Sequence, residues 1–421
     1  MNKNTFNLNK DIKIFDNIYF LEKNNGLKVV AEEISNSFPF SLSISILSGS
    51  RDEINVPNGT AHFLEHILFR RTKRLKSKQI AKEFERYGAI ANAFTTKEYT
   101  SYFVTANQSN FEKISKLLYE VVFRPEFNLG DIEKERKIII DEIISSEEDP
   151  EDVLNDKVAE QQFPKNNISR PIAGTIESVN EIGLKDIEVF YKNHYVASNI
   201  IISYSGPDVE NFLKYTDGIV INSDNRIKSR VDLEIAKTSK IEINTNITSQ
   251  THLTISYIVK RNDLEIRVGM ALFNIMLSEA MSSRLYQVLR ERNGITYNVY
   301  SGITNYTDFT ELYIYTSFDN KYKGKVIKLI EREFDKIKDK NFSKNEVNIA
   351  KELLKTYSIL ENEGSQNKIN NLTRQIMLYN NIESNNDTIK YIEEYSYDNI
   401  LKLSKEIFDF KKWYQCYLIP D

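Results

Sequence analysis

Apolar and polar side chains along this chain alternate between two periods. Residues 89–105 alternate apolar and polar positions every second residue, the pattern of half-buried strands, and residues 110–122 change to a helical period. Residues 131–142 read as a helix of mixed charged and aliphatic residues, and residues 200–205 as a further strand. The order then recurs. Phe84-Glu-Arg-Tyr-Gly88 leads into the first set of strands, and Leu289-Arg-Glu-Arg-Asn-Gly294 leads into Ile295–Tyr300 and Glu311–Thr316, with a helix over about 321–338. A helix over about 264–289 stands where the first copy has a helix around residue 64.

The pattern predicts an α+β protein made of two duplicated α/β-sandwich domains. Each is expected to hold a mainly antiparallel sheet with helices packed on one face. The polar stretch from Asp217 to Lys237 lacks aromatic residues and has the composition of a linker. The expected domains are 1–222 and 239–421, joined by a linker over 223–238.

Composition narrows the classes. At 421 residues the chain can bury ample core. A net charge of −4 leaves no basic footprint for nucleic acid. One cysteine permits no internal disulfide and suits a reducing compartment. Residues 1–19 are polar and rich in Asn and Lys, unlike a signal or transit peptide, and no apolar run reaches membrane-spanning length. A cytoplasmic location with no membrane association is the expectation.

Two of the four histidines fall four residues apart in His62-Phe-Leu-Glu-His66. On a helix, positions i and i+4 lie on one face, so both imidazoles can reach a single ion. Glu65 leans over the same face, where it could take a proton from a metal-bound water. In the following helix, Glu135 and Glu142 are two turns apart on a stripe shared with Ile138 and Ile139. A carboxylate on an apolar stripe needs a partner, which a metal would supply. Glu142 is equally readable as part of the solvated acidic run that begins at Asp141.

The motif and its surroundings resemble the inverzincin zinc metallopeptidases: pitrilysin, insulin-degrading enzyme and the mitochondrial processing peptidase. The matching residues include Gly49-Ser-Arg-Asp-Glu53, Asn58-Gly-Thr-Ala61, Ile67-Leu-Phe69, Tyr87-Gly-Ala89, Asn92-Ala-Phe-Thr95 and Lys134-Glu-Arg136. The resemblance implies one Zn2+ per chain, held by His62, His66 and Glu142, with Glu65 as general base and Glu135 as outer support. It is to a short, single-half member, so the two domains would form half of a clamshell. One departure stands in Arg71-Thr72, where relatives usually have Gly before the Thr.

The second copy carries Arg290 and Tyr297 on either side of Gly294. The resemblance implies that this pair stabilises the oxyanion at a partner subunit's zinc. A homodimer enclosing a chamber follows, with a heterodimer with a metal-less paralogue as the alternative. A peptide substrate would extend along the strand holding Ala91, Asn92, Ala93 and Phe94; Phe94 reads either as a pocket wall or as a core aromatic. Three functions are in view: an endopeptidase cutting short unfolded peptides, a maturase for one precursor peptide, and a non-catalytic scaffold of the same fold. His194 and His252 read as packing or sheet residues.

Overall fold

The structure is a computed structural model that describes residues 13–15, 17–35, 39–222 and 233–421. Most of the predicted linker, residues 223–232, lies outside the described residues.

The strands are β1 (Lys13–Phe15), β2 (Ile18–Glu22), β3 (Lys28–Glu33), β4 (Pro39–Ile46), β5 (Ile90–Thr95), β6 (Thr100–Asn107), β7 (Ile200–Gly206), β8 (Lys240–Thr245), β9 (Thr251–Val259), β10 (Val299–Asn305), β11 (Thr310–Phe318) and β12 (Tyr414–Pro420). The helices are α1 (Thr60–Leu68), α2 (Ser77–Arg86), α3 (Phe111–Phe123), α4 (Leu129–Glu147), α5 (Pro150–Gln162), α6 (Ile176–Glu181), α7 (Leu184–His194), α8 (Val209–Asp217), α9 (Leu264–Asn274), α10 (Lys323–Lys340), α11 (Lys344–Glu361), α12 (Ser365–Arg374), α13 (Asn385–Glu394) and α14 (Tyr397–Ile407).

By compactness the chain forms two units. The first holds residues 1–144, 170–232 and 361–382, and the second holds 145–169, 233–360 and 383–421. Each half of the chain therefore sends one segment into the other unit.

The first unit is built on a seven-stranded sheet in the order β1-β2-β3-β7-β4-β6-β5. Only β3 and β7 pair in parallel; the other pairs are antiparallel. Side chains alternate across β4. Phe40, Leu42, Ile44 and Ile46 enter the main core with Phe63 and Leu64 of α1 and Phe111 of α3. Ser41, Ser43 and Ser45 point to the other face, as the two-residue period requires. That second face receives α12. Ser365 bonds Ser41 at 2.8 Å and Thr373 bonds Ser203 at 2.6 Å. Leu372 and Ile376 pack on Ile18, Phe20, Val30 and Ile201. Small hydroxyl residues let the helix approach closely while satisfying its polar groups.

The second unit has a five-stranded sheet in the order β10-β11-β9-β12-β8, with β8 and β12 parallel. Phe273, Phe334, Phe408 and Trp413 build its core on one face. On another part of the sheet, Leu154 and Val158 of α5 pack against Tyr315, Cys416 and Leu418.

The helix expected over 264–289 is interrupted. α9 ends in a π-helical turn at Ile275–Glu279, and a second π-helical turn covers Tyr286–Glu291. Ala280 between them is extended, and Ser283 N–H closes a turn onto Ala280 C=O. Adjacent Ser282 and Ser283 are poor helix formers, and apolar periodicity does not register such a break.

Replacing Leu372, which is 3 % exposed, by Ala should destabilise the protein by about 2–5 kcal/mol. Chemical denaturation followed by circular dichroism would measure the loss; an unchanged midpoint would show that α12 adds nothing to this sheet face.

Candidate metal centre

The site is assembled from α1, α4 and the end of β5, all in the first unit. Helix α1 buries Ala61, Phe63, Leu64, Ile67 and Leu68 in the core. Its remaining face carries His62, Glu65 and His66. Helix α4 buries Ile132, Glu135, Ile139 and Ile143 at intervals of three and four residues. Glu142 lies at the margin of that stripe, with its side chain 50 % exposed. Ile138, expected on the same stripe, is exposed; at 100° per residue it falls just beyond the buried sector.

His62, His66 and Glu142 each offer a donor atom, and these atoms lie within 4.8 Å of one another. Nε2 of His62 is 3.7 Å from Oε1 of Glu142, and Nε2 of His66 is 3.7 Å from Oε2. Donors set about 2.1 Å from one ion at tetrahedral angles stand about 3.4 Å apart, so two imidazoles and a carboxylate at this spacing fit a divalent metal.

The two rings are oriented differently. His66 Nδ1 donates to Glu135 Oε1 at 3.0 Å, which leaves the Nε2 lone pair facing Glu142. Arg70 holds the other Glu135 oxygen. His62 Nδ1 is buried and has no hydrogen-bond partner among the described residues. Burial, with the nearby His66 charge, pulls His62 down to about 3. Burial would also lower His66, but the Glu135 hydrogen bond and the charges of Glu65, Glu135 and Glu142 outweigh it and hold the ring above 6.5. Glu135 is driven up by burial, yet the bonds from His66 and Arg70 bring it below the usual carboxylate range.

Glu65 is half-buried, and desolvation raises its proton affinity against the opposing Thr95 bond and the His66 charge. Thr95 Oγ1 donates to Glu65 Oε2 at 2.6 Å. Thr95 ends the family-like run Asn92–Thr95, but a Thr at a strand end carries no signal of a role at the site until the fold lays it beside α1. The same is true of Arg70.

Ala91, Asn92, Ala93 and Phe94 lie on β5, the last strand of its sheet, which among the described residues pairs with β6 alone. Asn92 is exposed, and its side-chain oxygen accepts from Ala93 N–H at 2.9 Å. Phe94 is half-buried against Tyr99 and Phe103.

Arg290 and Tyr297 belong to the second unit and touch each other. The guanidinium lies 4.6 Å from the centre of the Tyr297 ring and donates to Tyr297 C=O at 3.1 Å. Tyr297 is 78 % exposed and sits before β10 rather than in a strand. Gly294 at φ +58° and the Thr296 bonds to Asn298 and Ser317 carbonyls turn the chain there. His194 is buried on Phe190, and His252 bonds Thr248 and Tyr315 inside the second unit.

Residues 28–176, which include every residue of the metal group, match the family described as insulinase (peptidase family M16), and residues 181–354 match the M16 inactive domain. A zinc protease of Rickettsia bellii, named as uncharacterized, is 30% identical over 299 residues, covering 70% of this chain and 71% of its own. The similarly named YmxG of Bacillus subtilis is 25% identical over 385 residues, with 91% and 94% covered. A peptidase M16 inactive domain structure from Pseudomonas fluorescens superposes with TM-score 0.88 at 19% identity over 96% of this chain and 98% of that one. A protease from Helicobacter pylori does so at 0.85 and 19%, over 96% and 99%.

In the metal-free protein, His62 should stay neutral to near pH 3 while His66 takes up its proton above pH 6.5. The raised His66 value stabilises the fold below pH 6.5, and this contribution disappears as pH climbs through the folded value. The lowered His62 value works the other way, destabilising the fold as pH drops from 6.5 toward 3. Carbon-13 histidine NMR titration would read both; two ordinary titrations near 6.5 would contradict the geometry.

Proposed function

The chain belongs to the insulinase family, peptidase family M16, and we propose on that premise that it is a zinc-dependent endopeptidase. The observation that carries the reading is the meeting of His62, His66 and Glu142 beside a carboxylate, Glu65, that is half-buried and held by Thr95. Zinc held by these three residues would polarise a peptide carbonyl and acidify a bound water.

The chain's own residues supply the proton transfers and the alignment. Burial lifts the proton affinity of Glu65, which matches it to accept a proton from the attacking water and return it to the leaving amine. Thr95 keeps that carboxylate aimed over the histidine face. Glu135 fixes the His66 ring, so that its Nε2 needs no reorientation when metal arrives.

The substrate is a short unfolded peptide that adds to the open edge of β5. Its insertion requires Asn92 to yield the Ala93 N–H that its side chain engages. Arg290 and Tyr297 already stand as a stacked pair with an exposed phenol, a form suited to stabilising oxyanion charge. In this reading they serve the zinc of a second subunit, in a homodimer that encloses the reaction. No helix among the described residues is long and apolar enough to cross a membrane, and the lone Cys416 is buried and free. The proposed location is the cytoplasm.

Glu65→Gln should retain stoichiometric zinc and lose cleavage of a quenched peptide mixture by about 10²- to 10⁴-fold. Metal analysis beside the peptidase assay tests this. Equal cleavage by both proteins would remove Glu65 from the chemistry; zinc in neither would remove the metallopeptidase reading.

A further inference from the structure

The two histidines on α1 are not supported alike. His66 has Glu135 against its Nδ1, whereas His62 Nδ1 is buried with no partner among the described residues. The direction of the His62 ring therefore depends on the backbone that carries it, the first turn of α1.

That turn is held from outside the helix. Its N-cap, Gly59, has no side chain to cap with, and its φ of +91° suits glycine. A Cβ there would also meet Ala173 C=O at 2.5 Å. The missing cap comes from Glu53, which is 1 % exposed. One of its oxygens accepts from Ala61 N–H at 2.8 Å; the other accepts from Gly59 N–H at 3.1 Å and from the Asn58 side chain at 2.8 Å. A carboxylate at a helix N-terminus satisfies unpaired donors and opposes the helix dipole.

The turn that bears Glu53 is itself bound to the β5–β6 hairpin. Ser50 N–H bonds Thr96 C=O at 3.2 Å, and Arg51 N–H bonds Lys97 C=O at 2.8 Å. Arg51 and Glu98 form an ion pair at 2.6 Å, with both side chains buried. Gly49 fits so closely there that a Cβ would lie 2.2 Å from Thr96 C=O. The hairpin also carries Thr95, the partner of Glu65.

We propose that Glu53 is a positioning residue of the metal centre: it locks the first turn of α1 to the β5–β6 hairpin, setting His62 and Glu65 in one frame as Glu135 sets His66. The proposal rests on the metallopeptidase reading. Glu53 acts through the amides of Gly59 and Ala61.

The test compares full-length wild type, Glu53→Gln and Asn58→Ala. Zinc affinity is measured by chelator competition, ligand geometry by the visible absorption of the cobalt-substituted protein, and activity as kcat and KM separately. Glu53→Gln keeps the size of the side chain but turns one of its two accepting oxygens into an NH2 group, which cannot accept from the helix amides. It should weaken zinc about 10- to 100-fold, alter the cobalt spectrum and lower kcat with KM unchanged. Asn58→Ala removes one donor to the carboxylate and should weaken zinc severalfold. Wild-type zinc affinity and cobalt spectrum in Glu53→Gln, with or without a lower Tm, overturn the proposal. If Glu53→Gln does not fold, wild-type affinity in Asn58→Ala overturns it. A wild type that binds zinc and cleaves peptide while both variants match it sinks the role of Glu53 alone; a wild type that holds no zinc sinks the metallopeptidase reading with it.

Discussion

A single carboxylate, Glu135, brings two distant stretches of chain into register. It sits in the buried stripe of α4, accepts from His66 of α1 and is held by Arg70. A buried charge is tolerable only when it is fully paired, so α4 must meet α1 at this point and in one rotation. Glu142, two turns further along α4, is thereby presented to the Nε2 atoms of both histidines. The same bond sets the ring of His66. The candidate metal group, helix packing and charge compensation thus share one residue.

Around that contact the fold supplies rigidity on one side and access on the other. Helix α1 is anchored by Phe63, Leu64 and Leu68, all fully buried, while Glu65 and His66 on its other face are only half-buried. The edge strand β5 contributes Thr95 to the site and leaves an unpaired margin beside it. Helices and a strand, rather than loops, carry His62, Glu65, His66, Glu135, Glu142 and Thr95, which suits chemistry sensitive to small errors in position. The fold as a whole superposes on a peptidase M16 inactive domain structure with TM-score 0.88.

The second unit repeats the architecture without the metal residues. Its helical segment after β9 breaks at Ala280 instead of running through, and its Arg290–Tyr297 pair gathers around a glycine turn. The seven-residue spacing was visible in the sequence. The stacking was not, because it depends on Gly294 adopting positive φ and on Thr296 bonding two carbonyls.

What the sequence determined by itself is local and periodic. A 3.6-residue period places His62, Glu65 and His66 on one face of a short helix, and alternation assigns β5 and β6. The family resemblance adds Glu142 by its distance along the chain. Only tertiary structure decided the rest. The buried stripe of α4 excludes Ile138, since neighbouring helices define which sector is covered. Thr95, Arg70 and Glu53 became partners of the site through contacts across the chain, which no periodicity encodes. The serines of β4 and β7 read as ordinary polar positions until α12, from the other half of the chain, packed against them. Local order follows from backbone geometry and side-chain period, whereas these pairings depend on which surfaces the whole chain buries together.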